Sequence, residues 1–98
     1  MPHNVLERRL IARITNSSGV PKRLILEPWG EEYSLPVGSV LEILAEGLPG
    51  APEFDFADEC LTIYAWSGST LTLVLDGAEL DAGQGPRTVV PPTPTRRV

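Results

Sequence analysis

Apolar and polar residues alternate along most of this chain. Leu10, Ala12 and Ile14 alternate with Arg9, Ile11, Arg13 and Thr15, and Asn16-Ser17-Ser18-Gly19 breaks the run as a turn. Leu24 and Leu26 follow, then Tyr33 and Leu35, then Leu41, Ile43 and Ala45. A Gly- and Pro-rich loop over residues 47–52 leads to Phe54 and Phe56, which alternate with Glu53 and Asp55. Leu61, Ile63 and Ala65 come next, and Leu71, Leu73 and Leu75 after the Ser67-Gly68-Ser69 turn. Asp76-Gly77 suits a type I′ hairpin turn into a short last strand, Ala78-Glu79-Leu80.

A period of two, repeated between closely spaced turns, predicts seven or eight short strands. No helix of ordinary length fits between them, so parallel βαβ units are not expected. The predicted fold is all-β: one antiparallel sandwich or open barrel, jelly-roll-like, over residues 8–81. Residues 1–7 read as a flexible N-terminus. One stretch has a second reading: Asn4 and Glu7 have capping-box spacing, and Leu6, Leu10 and Ile14 fall at helical intervals. The alternation and β-branched residues of 11–15 favour a strand over 8–15.

Beyond Asp81 the pattern stops. Ala82-Gly83-Gln84-Gly85-Pro86 is linker-like and Val90-Pro91-Pro92-Thr93-Pro94-Thr95 is polyproline-like, so residues 82–98 read as a disordered tail without long-range contacts. Pro91 to Arg96 also fits the P-x-x-P-x-R spacing of polyproline ligands, a pattern short enough to recur by chance. Arg87, Arg96 and Arg97 give this tail positive charge, and a transient, salt-sensitive contact with the Glu31-Glu32 corner is expected.

Composition narrows the function more by exclusion than by assignment. The 98 residues suit one domain, and ten prolines with nine glycines suit an all-β one. A net charge of −5 disfavours nucleic acid and anionic membrane surfaces as partners. The start has no apolar leader-like run, and Cys60 is the only cysteine, so a cytoplasmic protein without an internal disulfide is expected. His3 is the only histidine and lies near the terminus. That leaves no internal imidazole for a Ser-His-Asp or Cys-His arrangement and no Cys/His set for zinc or copper. No catalytic residue, metal site or cofactor is assigned. Cys60 follows Asp58-Glu59, whose charges disfavour a reactive thiolate.

The remaining candidate chemistry is aromatic and acidic. Leu26-Glu27-Pro28-Trp29-Gly30-Glu31-Glu32-Tyr33-Ser34-Leu35-Pro36-Val37-Gly38 reads first as a strand junction: Pro28 interrupts a ladder, Gly30 allows positive φ, and Trp29 covers a corner with its N–H on a nearby carbonyl. Read functionally, Trp29, Glu31, Glu32 and Tyr33, joined by Tyr64 and Trp66 from a neighbouring strand, form a candidate binding patch. The corner, with Leu61-Thr62-Ile63-Tyr64-Ala65-Trp66-Ser67-Gly68-Ser69 downstream, resembles small uncharacterised bacterial β-sandwich proteins carrying an E-P-W-G-x-x-Y-x-L-P-x-G corner. The resemblance implies a small β domain over about residues 12–80 and carries no activity with it.

The leading expectation is therefore a non-catalytic, monomeric β domain binding a protein or small ligand through an aromatic surface. Two alternatives remain: a carboxylate-based hydrolase or sugar-processing enzyme, with acids drawn from Glu31-Glu32, Glu53/Asp55 and Asp58-Glu59, and a self-assembling module using free edges of strands 39–46 and 70–75.

Overall fold

The computed structural model describes residues 7–80 and 87–91. Eight strands appear in chain order: β1 (Arg9–Thr15), β2 (Lys22–Glu27), β3 (Glu31–Leu35), β4 (Val40–Gly47), β5 (Glu53–Phe56), β6 (Cys60–Tyr64), β7 (Ser69–Leu75) and β8 (Ala78–Glu79). They form two four-stranded sheets, β1-β4-β7-β8 and β3-β2-β6-β5, packed as a sandwich without a helix among the described residues. The expected all-β class holds, as a sandwich and not an open barrel. The favoured strand reading of 8–15 holds, as Arg9–Thr15; Asn4, the first half of the alternative capping box, lies outside the described residues.

Period-two alternation places the core. Leu24, Leu26, Leu35, Leu41, Ile43, Ala45, Leu61, Ile63, Leu71 and Leu73 are buried in one cluster between the sheets. Each large aliphatic side chain so placed contributes about 1.5–3 kcal/mol relative to exposure. Opposite faces of the same strands carry Arg13, Arg23, Glu32 and Tyr64 into solvent.

The structure departs from the sequence reading at four places. The pair β2–β6 is parallel, whereas antiparallel pairing was expected throughout. Chain direction is reconciled without a crossover helix because β3, β4 and β5 intervene, with β4 in the opposite sheet. In β1 a bulge between Leu10 and Ala12 shifts the register against β4. The extra residue reverses the facing, so Leu10, expected in the core, is 49% exposed and Ile11 packs inward. Strands 39–46 and 70–75 are not sheet edges: β4 lies between β1 and β7, and β7 between β4 and β8.

Finally, part of the expected tail is docked. Beyond its two-residue partner β8, the edge of β7 would expose unpaired carbonyls. The Leu73 carbonyl accepts from Leu80 N–H (2.8 Å), and Ser69 from Val90 N–H (2.9 Å), while Val90 O accepts from Gly68 N–H (2.8 Å). Val90 is itself buried. Residues 87–91 thus make long-range contacts, because an unfinished edge needs partners that a short β8 cannot supply. Residues 82–86, and 92–98 with most of the P-x-x-P-x-R pattern, lie outside the described residues.

Turns lock the two ends. Asn16 is buried between the β1–β2 and β3–β4 connections, and its amide donates to Leu35 O and Val20 O, both at 2.9 Å. Asp76 and Gly77 both have positive φ (48° and 86°), as a type I′ turn requires. Gly47 also has positive φ (105°), and the carbonyl of Gly68 occupies the space a Cβ would need. Gly19 (φ 88°) has open space around it. Gly19→Ala is therefore expected to cost about 1–2 kcal/mol from backbone conformation alone. Gly47→Ala adds steric overlap and should cost about 3 kcal/mol or more, measured as urea-unfolding free energies. Equal losses for the two would refute the close approach.

Candidate functional site

The Trp29 corner is built by the β2–β3 hairpin. Glu31, Tyr33 and Leu35 have the same strand parity, which turns all three inward; Glu32 and Ser34 face solvent. An inward carboxylate requires a partner. Arg87 provides it, with its side chain 6% and that of Glu31 18% exposed. Arg87 Nε donates to both Glu31 oxygens at 3.0 Å, and Nη2 to Oε1 at 2.5 Å. Nη2 also reaches Leu80 O (2.8 Å) and the Tyr33 hydroxyl (3.0 Å), and Nη1 reaches Leu71 O (3.1 Å). The Tyr33 hydroxyl donates to Glu31. Trp29 completes the cluster: its indole lies 6.0 Å from the guanidinium carbon and its N–H donates to Thr88 O at 3.0 Å.

The six residues singled out from sequence therefore separate. Trp29, Glu31 and Tyr33 converge on Arg87. Glu32 lies on the opposite face of β3, held by Arg23 Nε at 2.7 Å. The hydrogen bond from Arg23, and then its charge, hold the Glu32 carboxyl below its ordinary range. Tyr64, 40% exposed, projects from the outer face of β6. Trp66 leaves the strand, packs over Gly50 and donates its indole N–H to Leu48 O at 2.9 Å. These aromatics do not stack on one another; the only stacked ring pair among the described residues is Phe54–Phe56, with centroids 6.1 Å apart.

That pair marks the other candidate region. A cleft of about 210 Å³ opens at the end of the sandwich where β1, β3 and β5 finish and β2 and β6 begin. Ile14, Leu35, Phe56 and Leu61 give it apolar walls; Ser17, Ser18 and Lys22 stand at its polar side. Its form is preset. Asn16 ties the β1–β2 turn to β3, and Lys22 Nζ donates to Asp58 O (2.5 Å), tying β2 to the β5–β6 turn. Phe56 is 66% exposed, the largest value among the exposed large hydrophobic residues. No carboxylate lines this cleft. A larger, more open depression of about 530 Å³ on the outer face carries Glu32 and Glu59 beside Arg23 and Tyr33. Among the described residues no group of three or more His, Cys, Asp or Glu side chains is placed to hold a metal ion. Cys60 is half-buried, with Sγ 3.7 Å from Thr62 Oγ1.

Sequence reasoning brought Arg87 to the Glu31-Glu32 corner only as a transient contact, whereas it is buried against Glu31, and it did not single out Phe56. Arg87 sat in a segment read as a tail, though inward parity at Glu31 signalled a missing cation. Phe56 was read as core because of its alternation, but β5 lies at the sheet edge, where little covers it. No protein-family model matches the chain, and no curated protein or solved structure matches it.

Two outcomes follow from the Arg87 cluster. Arg87→Met strands the inward Glu31 carboxylate and is expected to cost about 3–5 kcal/mol in urea unfolding, with much of it restored by adding Glu31→Leu, since an apolar pair can replace a buried ion pair. An unchanged stability in the single variant would show that the guanidinium is dispensable. Burial, followed by the hydrogen bond to Glu31, raises the Tyr33 phenol above its ordinary value of 10.0. With the folded value above the unfolded one, this contribution to stability is complete below pH 10 and is lost as pH rises through the folded pKa. Spectrophotometric titration should show a late-titrating phenol that Tyr33→Phe removes.

Proposed function

We propose that this protein is a non-catalytic binding domain that takes an apolar group of a protein or small-molecule partner into the cleft beside Phe56. The observation that carries the reading is a preset apolar cleft with a largely exposed Phe on its rim, in a molecule whose other inward residues are well covered. A cavity of about 150 Å³ lined by aliphatic and aromatic side chains is large enough to take up benzene. At about 210 Å³ this cleft suits a group somewhat larger, such as one aromatic or branched side chain.

The Trp29 corner favours a structural role. Its indole N–H, its carboxylate and its guanidinium are all engaged within the protein, so a ligand there would have to displace bonds already made. On this reading the E-P-W-G corner resembling that of small bacterial β-sandwich proteins closes the fold and does not recognise a ligand. The carboxylate-enzyme alternative draws less support, because the apolar cleft has no acid in its lining and Glu32 in the outer depression is held by Arg23.

Titration of the isotope-labelled protein with indole tests the reading. Saturable shifts are expected at Ile14, Leu35, Phe56 and Leu61, and Phe56→Ser should weaken them. Phe56 is exposed enough that this substitution should cost within about 1 kcal/mol of stability. Shifts confined to the Trp29 corner, or no saturable shifts, would overturn the proposal.

A further inference from the structure

The cleft opens beside an unpaired strand. β5 ends its sheet and pairs only with β6, Glu53 opposite Tyr64, Phe54 opposite Ile63, Asp55 opposite Thr62 and Phe56 opposite Leu61. Ala57 N–H donates to Cys60 O at 2.8 Å, which fixes the phase of the ladder. Hydrogen-bonded and non-hydrogen-bonded pairs alternate in an antiparallel ladder. Asp55 and Glu53 therefore turn their main-chain groups toward β6, and Phe54 and Phe56 turn theirs outward. Among the described residues no strand covers that side.

Four carboxylates stand beside this edge, and Lys22, the cation at the neighbouring cleft, is engaged by the Ala57 and Asp58 carbonyls. Glu53 and Asp55 stand exposed on the outer face of β5, and Asp58 and Glu59 are exposed in the following turn. None of the four makes an ion pair among the described residues. Glu31, Glu32, Glu42, Glu46 and Glu79 are all paired with arginines. The long edge strand of the other sheet is treated differently. β1 carries a bulge, its Arg13 is held by Glu42 at 2.7 Å, and the adjacent Arg8 lies 3.5 Å from Glu46. Bulges and exposed charges both discourage edge pairing; the short β5 has no bulge, and its exposed charges are all acidic, so they disfavour every added strand except a cationic one.

We propose that β5 accepts an extended peptide segment of a partner protein as an added strand, one in which cationic and apolar side chains alternate. Resting on the reading of the cleft as a binding site, the proposal names its occupant. Main-chain bonds to Phe54 and Phe56 hold the segment. Side chains on its outer face meet Glu53 and Asp55, which selects Lys or Arg. Side chains on its inner face lie along Phe54 and Phe56, and the one beside Phe56 enters the cleft. Free main-chain groups at strand spacing distinguish this occupant from a small molecule, which has no ladder to offer.

The experiment uses the full chain, isotope-labelled, with three probes: a short synthetic peptide of alternating arginine and valine, its glutamate–valine counterpart, and indole. The arginine peptide should shift the Phe54 and Phe56 amides and slow their hydrogen exchange, with an affinity that falls as salt is raised. The paired substitution Glu53→Lys with Asp55→Lys should weaken it by about tenfold or more through like-charge repulsion, and leave indole binding unchanged. Asp55→Asn, milder on the fold, should weaken it to a smaller degree. Indole binding without peptide binding would overturn the strand-addition proposal and leave the cleft reading intact; failure of both probes would overturn both. Equal affinity for the two peptides would overturn the charge assignment. Sedimentation showing a dimer that Phe56→Ser dissociates would replace the partner protein with a second copy of this chain.

Discussion

A buried guanidinium holds the two sheets of this sandwich together at one lateral side. Arg87 bonds to Leu71 O on β7 and to Glu31 on β3, so a single side chain spans from one sheet to the other. Its planar fork satisfies an inward carboxylate in two directions at once, a geometry that the ammonium of lysine lacks. The same segment supplies Val90 to the β7 edge and a carbonyl to the Trp29 indole. Aligned in this way, ion pair, indole and edge pairing are mutually dependent: each positions the residues that the others use. A fold with a two-residue β8 can leave the far edge of β7 mostly without a strand partner because residues 87–91 bond to that edge.

This closure has a consequence at the opposite side. Among the four strands that end a sheet, β3 is fastened through Glu31 and Tyr33 to Arg87, β8 is followed directly by Leu80, whose N–H pairs with β7, and β1 is bulged with paired arginines at its start and middle. β3 keeps a regular main-chain edge too, but its acids are paired with arginines, whereas the acids beside the free edge of β5 make no ion pair among the described residues. Interaction capacity in a small sandwich is concentrated where closure is not supplied, and here that place coincides with the apolar cleft. The cleft lies among the turns at this end, which Asn16 ties to β3 and Lys22 ties to the β5–β6 turn.

Much of the architecture was legible in the residue pattern. Leu24, Leu26, Leu41, Ile43, Leu61, Ile63, Leu71 and Leu73 alternate with polar neighbours, and all are buried. Asp76-Gly77 announced the last hairpin. What the pattern could not carry was long-range: the parallel pairing of β2 with β6 depends on which sheet each strand joins, and alternation is identical for parallel and antiparallel neighbours. The β1 bulge was hidden because a period-two reading of Leu10, Ala12 and Ile14 assumes that no residue is inserted. At the corner, Trp29, Glu31 and Tyr33 lay close together in sequence, but Arg87, 56 residues from Glu31, was expected to touch the Glu31-Glu32 corner only transiently, because its charge did not reveal that it would be buried there.

The corner also shows why aromatic and acidic residues gathered in a turn are ambiguous between recognition and construction. Recognition requires groups that stay unsatisfied, or satisfied only by water, until a partner arrives; construction consumes them. Trp29 N–H, both Glu31 oxygens and the Arg87 donors are consumed within the chain. At β5 the opposite holds: acids lack cations, the strand lacks a neighbour and Phe56 lacks cover. Residual valence of this kind, read from which groups are left over once the fold has been assembled, is what favours the proposed site at β5 and Phe56 over the conspicuous tryptophan.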